Sequence, residues 1–504
     1  MRNLGLIRHN TSVPELSCSL FSIFAFYYYL FMASPQIKLF NTLSGKKENL
    51  PRPENGVMRL FVCGPTVYDI SHIGHARTYI VFDALVRYLR SRKIKTQYLQ
   101  NITNIDDKII NRAAAEGIDP LSLSATYEAE YLADMKALGV NQVDIYARAT
   151  DHLKDIYSQI ARLLKNGYAY QTENGIYFEV KKFRSYGKLS RQNLNAVRPG
   201  WRIELDPHKK DPLDFALWKF IKTDNELSFP SPWGPGRPGW HIEDTAIAEK
   251  FFGLTYELHG GGMDLKFPHH EAEIAQARAL SGARHFVKTW IHTGFLTVNG
   301  EKMSKSLNNY ISIRDVLKSH TPEALRLVIL GHHYRTPFDY SENLMEEAET
   351  SWDGILRLVM KLQKVAKTRS SISKKTKQNT IPKSSFDLLE KEFQAALADD
   401  FNTPSAIASL FEFLGRIRPN IWMLSAPSAK HALSAVTSCL KILGLEVKAP
   451  HIPSKIAELV ESREKYRKKG HYKESDSLRK QILSLGFSVE DTPRGPFVWP
   501  EVRQ

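Results

Sequence analysis

Phe61-Val62-Cys63-Gly64-Pro65-Thr66-Val67-Tyr68-Asp69-Ile70-Ser71-His72-Ile73-Gly74-His75-Ala76-Arg77-Thr78 decides how this chain is read. Leu60, Phe61 and Val62 suit the end of a buried strand. Gly64-Pro65 interrupts that strand. Beyond the two histidines, Ile80, Ala84, Leu85 and Leu89 fall on one helical face. A strand therefore passes into a helix, and the turn between them carries a thiol, two imidazoles and a glycine. In an open α/β sheet, ligands bind outside such carboxyl ends of strands. Gly74 has no Cβ and admits a ligand close to the backbone. His72 and His75 stand where a helix N-terminus attracts phosphate.

Working outward, Gln36 to Thr42 reads as a short first strand, and Lys46 to Asn55 as a charged loop with two prolines. Lys95 to Thr103 is a second strand. It ends in Asn101, Thr103 and Asn104, polar residues that suit a ligand site, a helix N-cap by Thr103 or Asn104, or both. Helical patterns cover about 106–116, 122–138 and 151–166. From about 167 to 235 the pattern changes to short alternating strands, Tyr168–Tyr170 and Gly175–Val180, with basic loops and an aromatic segment ending at Trp218-Lys219. Trp233 to Trp240 is a tight glycine-proline loop, and a short helix follows to Phe252. Tyr256-Glu257-Leu258 is a strand that leads into Gly260-Gly261-Gly262. A helix beginning near Pro268 carries His269, His270, Glu271 and Glu273. Phe286 to Thr297 supplies another strand, and helical patterns dominate from about 312. Lys361 to Lys383 is a polar linker without an acidic residue.

The chain has 504 residues, enough for two to four domains. Its formal charge of +15 fits a polyanionic partner, and equally a soluble surface with spare lysines. Cys18, Cys63 and Cys439 show no paired spacing, so no disulfide framework is expected and a reducing compartment is the default. Arg2 and Arg8 precede an apolar run from Leu20 to Phe31 that imitates a short secretion signal. It is too short and too aromatic for a membrane-spanning helix. Residues 1–31 are read as an extension outside the functional protein, with Met32 as the start.

Two motifs carry the chemistry. His72-Ile73-Gly74-His75 and Lys302-Met303-Ser304-Lys305-Ser306 each follow a strand, in that order. Either alone is a weak signal; together they describe a site for attack on an α-phosphate. Imidazoles and lysines would donate where charge develops on phosphorus and on leaving pyrophosphate. A carboxylate nucleophile needs no base, since it is already ionised. His269 and Glu273, at i and i+4, share a helix face, while His270 and Glu271 point elsewhere. Alone, that pair suits a solvated helix as well as a metal.

These blocks, with Asn101-Ile102-Thr103-Asn104-Ile105-Asp106-Asp107-Lys108, Lys209 to Lys219, Pro238-Gly239-Trp240-His241-Ile242-Glu243 and His259 to Gln276, resemble the class I aminoacyl-tRNA synthetases, and within them the bacterial-type cysteinyl-tRNA synthetases. The likeness runs from about Ile37 to Trp499. It implies a Rossmann-type parallel-sheet α/β catalytic domain with an inserted domain, then an α-helical bundle and a small C-terminal domain. It implies ATP, Mg²⁺ with the ATP, L-cysteine and tRNA(Cys) as partners, and a monomeric cytoplasmic ligase that does not engage a membrane. His72, His75, Lys302 and Lys305 would be catalytic. His72, Gly74, His75, Gly261, Asp264 and Lys305 would hold ATP. Thr103 and Trp240 would meet the amino acid; packing in the core is the other reading of Trp240. A zinc ion selecting the substrate thiol would sit on Cys63, Asp244, His269 and Glu273. Asp244 departs from the family, which usually has cysteine there. Asp is a competent zinc ligand and keeps the ligand charge, but makes the site harder. The other reading of Asp244 is a helix cap.

The resulting division is 1–31 extension, 32–149 catalytic first half, 150–235 inserted domain, 236–284 catalytic second half, 285–345 stem-contact region, 346–445 anticodon-binding bundle and 446–504 C-terminal tRNA-binding domain. Two rivals stand beside it: a cysteine ligase acting on an amino sugar, and a non-catalytic tRNA-binding paralogue.

Overall fold

The computed structural model describes residues 35–192, 194, 206–221, 226–283, 286–303, 309–367 and 381–501. The apolar N-terminal run, Lys305 and residues 368–380 lie outside them. Among the described residues no helix is long and apolar enough to cross a membrane.

The chain opens with an antiparallel pair, β1 (Lys38–Asn41) and β2 (Lys46–Asn49). Read as loop from its charge, Lys46–Asn49 is a strand with largely exposed side chains. Its pairing is made by backbone groups and leaves no apolar signature. Then follow β3 (Met58–Val62), α1 (Ile73–Ser91), β4 (Thr96–Ile102), α2 (Asp107–Glu116), α3 (Pro120–Ala137), β5 (Ile145–Arg148) and α4 (Leu153–Lys165). The four-residue β5 went unseen in the sequence, because only Ala147 in it is buried.

Next come β6 (Ala169–Gln171), β7 (Gly175–Phe178), β8 (Phe215–Phe220) and β9 (Gly236–Pro238), paired antiparallel in that order. The glycine-proline loop Trp233–Trp240 therefore contains a strand. As an edge strand, β9 tolerates its proline. The chain continues through α5 (Trp240–Phe252), β10 (Tyr256–Gly262), α6 (Glu271–Ser281) and β11 (Val287–Thr293). β12 (Leu296–Val298), β13 (Glu301–Lys302), α7 (Ile313–Ser319), α8 (Pro322–Leu330) and β14 (Phe338–Tyr340) follow, with the three strands forming one sheet.

The central sheet is parallel, in the order β11-β10-β3-β4-β5. The chain builds from β3 to β5 on one side, then returns to place β10 and β11 on the other. The order reverses between β3 and β10, and a crevice opens there beyond the strand ends. Alternation along β3 sorts the neighbours. Leu60 and Val62 pack into the core that includes Ile80 and Leu85 of α1. Phe61 and Cys63 face the opposite core, with Ile156 of α4, Ile242 of α5 and Ile274 of α6. The thiol is thus aimed at α5, which carries Asp244, and at α6 and the turn before it, which carry Glu273 and His269.

The remainder is helical: α9 (Glu342–Lys367), α10 (Lys383–Ala398), α11 (Thr403–Ile417), α12 (Ala426–Leu443), α13 (Ser454–Lys468) and α14 (Tyr472–Ser484). The first part of the stretch read as a linker, Lys361–Lys367, continues α9. β15 (Phe487–Glu490) and β16 (Phe497–Pro500) form a closing hairpin. Val489 shares a small core with Ile456, Val460 and Ile482.

Candidate functional site

The turn after β3 is held by its own histidines. His72 is the N-cap of α1, and its Nδ1 accepts the backbone N–H of Gly74 at 3.0 Å. His75 returns the bond, its Nδ1 accepting the backbone N–H of His72 at 3.3 Å. This is a capping box built from imidazoles. Both Nδ1 atoms accept, so in the neutral rings both protons sit on Nε2. Burial pushes the His75 pKa well below its ordinary value, so that ring donates as a neutral N–H rather than as a cation. Gly74 is required for a local reason: a Cβ would come within 2.7 Å of the His72 ring and 3.2 Å of Met303 Cε. Met303 belongs to the second motif, so the two motifs meet in the fold. The Lys302 backbone lies in β13.

Behind this turn, Cys63, His269, His270 and Glu273 bring donor atoms within 4.8 Å of one another, all buried. Cys63 Sγ lies 3.1 Å from His270 Nε2, 3.3 Å from His259 Nε2 and 3.9 Å from Glu273 Oε1. His269 Nε2 lies 3.3 Å from Glu273 Oε1 and 3.0 Å from Asp244 Oδ2. Asp244 joins the group through His269, while its Oδ1 accepts from Asn101 Nδ2 at 2.6 Å. It is not a helix cap, since α5 starts at Trp240 with Gly239 as its N-cap.

His270 does not point elsewhere. His270 and Glu273 are i and i+3, neighbours on a helical turn as His269 and Glu273 are, and the turn that leads into α6 is helical at His270 (φ −68°, ψ −26°), so both histidines face Glu273. Glu271 does turn away, accepting from Ser190 N at 2.7 Å and Ser190 Oγ at 2.9 Å.

The far ring nitrogens are anchored. His270 Nδ1 lies 2.8 Å from His292 Nε2, and His292 Nδ1 lies 2.9 Å from Thr42 Oγ1. His259 Nδ1 lies 2.7 Å from Tyr256 OH, and His269 Nδ1 lies 2.8 Å from His241 Nδ1. Such outer bonds fix ring orientation around a metal. His259 and His292 were missed in the sequence because nothing in their spacing links them to Cys63; the register of β10 against β3 places His259 beside Phe61, and that of β11 against β10 places His292 beside Gly261.

The donor chemistry fits a cation. Burial, then the Asp244 and Glu273 carboxylates, push the Cys63 thiol well up. Burial and Asp244 do the same to Glu273, whose Oε2 has no hydrogen bond, with His259 Nε2 3.5 Å away. Acids crowded together in this way are the arrangement that a divalent ion reverses. One thiolate, imidazoles and carboxylates suit zinc.

The other predicted residues surround this group. Thr103 is buried, and its hydroxyl donates to Glu243 Oε2 at 3.0 Å. The cap of α2 is Asp106, which accepts from Lys108 N at 2.9 Å, so neither Thr103 nor Asn104 caps it. Trp240 is no core residue: it is 38 % exposed and stacks on His269, with ring centroids 4.1 Å apart. Gly261, the last residue but one of β10, lies close to the His270 ring, and Asp264 follows in a 3-10 turn.

Residues 50–350 match the family described as "tRNA synthetases class I (C) catalytic domain", and residues 392–447 match the "DALR domain". The cysteine--tRNA ligase of Thermoplasma volcanium is 44% identical over 464 residues, covering 92% of this chain and all of that protein. That of Thermodesulfovibrio yellowstonii is 41% identical, covering 91% and 98%. Among solved structures, a Mycobacterium tuberculosis methionyl-tRNA synthetase in complex with methionyl-adenylate is similar in fold (TM-score 0.56, 14% identity, 77% of this chain and 90% of that one). So is an Agrobacterium radiobacter LeuRS in a ternary complex (TM-score 0.59, 10% identity, 86% and 87%).

Proposed function

The chain belongs to the cysteinyl group of class I tRNA synthetases, and from that membership we propose that it is a cysteine–tRNA ligase. It activates L-cysteine with ATP and Mg²⁺, giving cysteinyl-adenylate and pyrophosphate. It then transfers the cysteinyl group to the terminal ribose of tRNA(Cys). The observation that carries this reading is the buried thiol–imidazole–carboxylate group lying directly behind the two-histidine helix start, at the crevice of one parallel sheet.

The chain's own groups account for the first step. The substrate carboxylate attacks the α-phosphorus and pyrophosphate leaves. With both Nδ1 atoms accepting backbone N–H bonds, the Nε2–H groups of His72 and His75 are the donors that would serve the developing charge. Lys302 and Lys305 would stabilise the departing charge, and Gly74, Gly261 and Asp264 would border the nucleotide. Cys63, His269 and Glu273 would hold zinc, with Asp244 beside His269 and His270 beside Cys63 as further donors. When bound, the metal supplies a site for a thiolate, a preference that serine's hydroxyl does not satisfy. Thr103 and Trp240 would border the amino acid. The bundle and the C-terminal hairpin, 346–445 and 446–504, are assigned to tRNA, and the enzyme to the cytoplasm as a monomer.

The test is cysteine-dependent ATP–pyrophosphate exchange and charging of purified tRNA(Cys), beside zinc quantification. Exchange without tRNA charging would turn the reading toward the amino-sugar ligase, and no exchange toward the non-catalytic paralogue.

A further inference from the structure

Two segments meet at the amino-acid side of the crevice, 101–107 from the end of β4 into α2 and 237–244 from β9 into α5. They run antiparallel and are tied at three points. Asn101 Nδ2 donates to Asp244 Oδ1 at 2.6 Å, and Thr103 Oγ1 donates to Glu243 Oε2 at 3.0 Å. The third tie is ionic: Asp107 accepts from Arg237 Nη2 at 2.5 Å and from Lys219 Nζ at 2.7 Å. Arg237 also reaches Glu226 at 3.3 Å.

Trp240 lies between the second and third ties in sequence, and it faces His269. The two inner ties are buried, whereas the Asp107 side chain is 44% exposed. The turn that joins β9 to Trp240 has no slack. A Cβ at Gly239 would come within 1.9 Å of the Ala216 carbonyl oxygen, and Gly239 N donates to Leu217 O at 2.9 Å. A shift of β9 would therefore be carried into Trp240. Burial works to raise the Asp107 carboxyl, but Lys219 and Arg237 outweigh it and hold it below its ordinary value.

We infer that Asp107 is a positioning residue. By clamping Arg237 and Lys219 of the antiparallel sheet to the start of α2, it holds Trp240 as the wall of the amino-acid pocket. Nothing in the proposed chemistry uses Asp107, and it touches none of the candidate metal donors. The inference rests on the reading of the pocket as a cysteine site.

The experiment is pyrophosphate exchange by the full chain, with Asp107→Asn and the conservative variant Asp107→Glu. Asp107→Asn raises KM for cysteine by roughly two- to fivefold, the worth of one well-formed partly exposed ionic tie. It leaves KM for ATP unchanged, and Asp107→Glu, which keeps the charge facing Lys219 and Arg237, shows a smaller rise. Raising salt from low to 0.5 M weakens cysteine binding in the wild type more than in Asp107→Asn, because the tie is screened. An unchanged KM for cysteine in Asp107→Asn, or equal increases for cysteine and ATP, overturns the clamp. If Asp107→Asn melts early, Lys219→Met is measured in its place under the same criteria. No cysteine-dependent exchange by the wild type overturns the underlying reading and the clamp with it.

Discussion

His75 Nδ1 accepts the backbone N–H of His72 across 3.3 Å, so the second histidine of the motif secures the first. The pair builds the helix start and aims two N–H donors away from it, which lets fold and chemistry be separated by substitution. Glutamine at this third helical position can make the same return bond. His75→Gln is expected to melt within a degree or two of wild type while exchange falls about 10²-fold, the usual loss for one donor at a developing charge. His75→Ala loses the activity and also about 1 kcal/mol of stability. Thermal melts and exchange rates of both variants decide it; equal activity loss with no stability difference between them would deny the cap its structural role.

Metal retention tests the donor group. Under competition with a chelator, Cys63→Ser, His269→Gln and Glu273→Gln are expected to lose zinc outright. His270→Gln should weaken retention by about 10- to 100-fold if it ligates or orients. Cobalt substitution gives an independent view: a sulfur-to-cobalt charge-transfer band should be present in wild type and absent in Cys63→Ser. Asp244→Cys should intensify that band, since it adds a second sulfur. A band unaffected by Asp244→Cys would place that side chain outside the coordination sphere.

Asp83 and Arg326 form a buried ion pair at 2.6 Å that joins α1 to α8. The same guanidinium donates to Leu138 O and Leu443 O, at the ends of α3 and α12, both at 3.1 Å. Asp83→Asn leaves a buried cation with reduced compensation and is expected to cost about 3 kcal/mol. Asp83→Leu with Arg326→Met should cost less than the two single changes added, because the fully buried guanidinium leaves together with its carboxylate, while Arg87, the other partner of Asp83, is partly exposed. Denaturant melts of the four proteins check this.

His292 gives the acid limb of stability. Burial pushes its pKa down to about 3, against an ordinary value of about 6.5 in the unfolded chain. Between those values the unfolded chain binds the proton and the folded chain does not, so stability falls as pH falls. The slope is about 1.4 kcal/mol per pH unit from this residue alone, beginning near pH 6.5. His292→Gln should flatten the decline between pH 6 and 5 by that amount, read from urea midpoints at each pH. An unchanged slope would mean that His292 is charged or solvated in the folded protein.

Much of this protein was determined by its sequence. The apolar run into Gly64-Pro65, the two-histidine turn and the following helical face specify a strand, a turn and a helix through local preferences alone. The family resemblance likewise pointed to Cys63, His269 and Glu273, whose donor atoms lie together in the fold. The tertiary structure decided matters that depend on pairing across the chain. Lys46–Asn49 is a strand because β1 supplies its hydrogen bonds, which its own charged residues do not announce. His270 and Glu273 stand at i and i+3, but that both face Cys63 is decided by the packing of this turn against β3. Strand order decides the rest: β10 lies between β3 and β11, so His259 meets the thiol and His292 meets His270 behind it. Sequence spacing encodes what one element presents on its face. Which faces then meet is set by the burial of β3 between two helical layers, and that is a property of the whole chain.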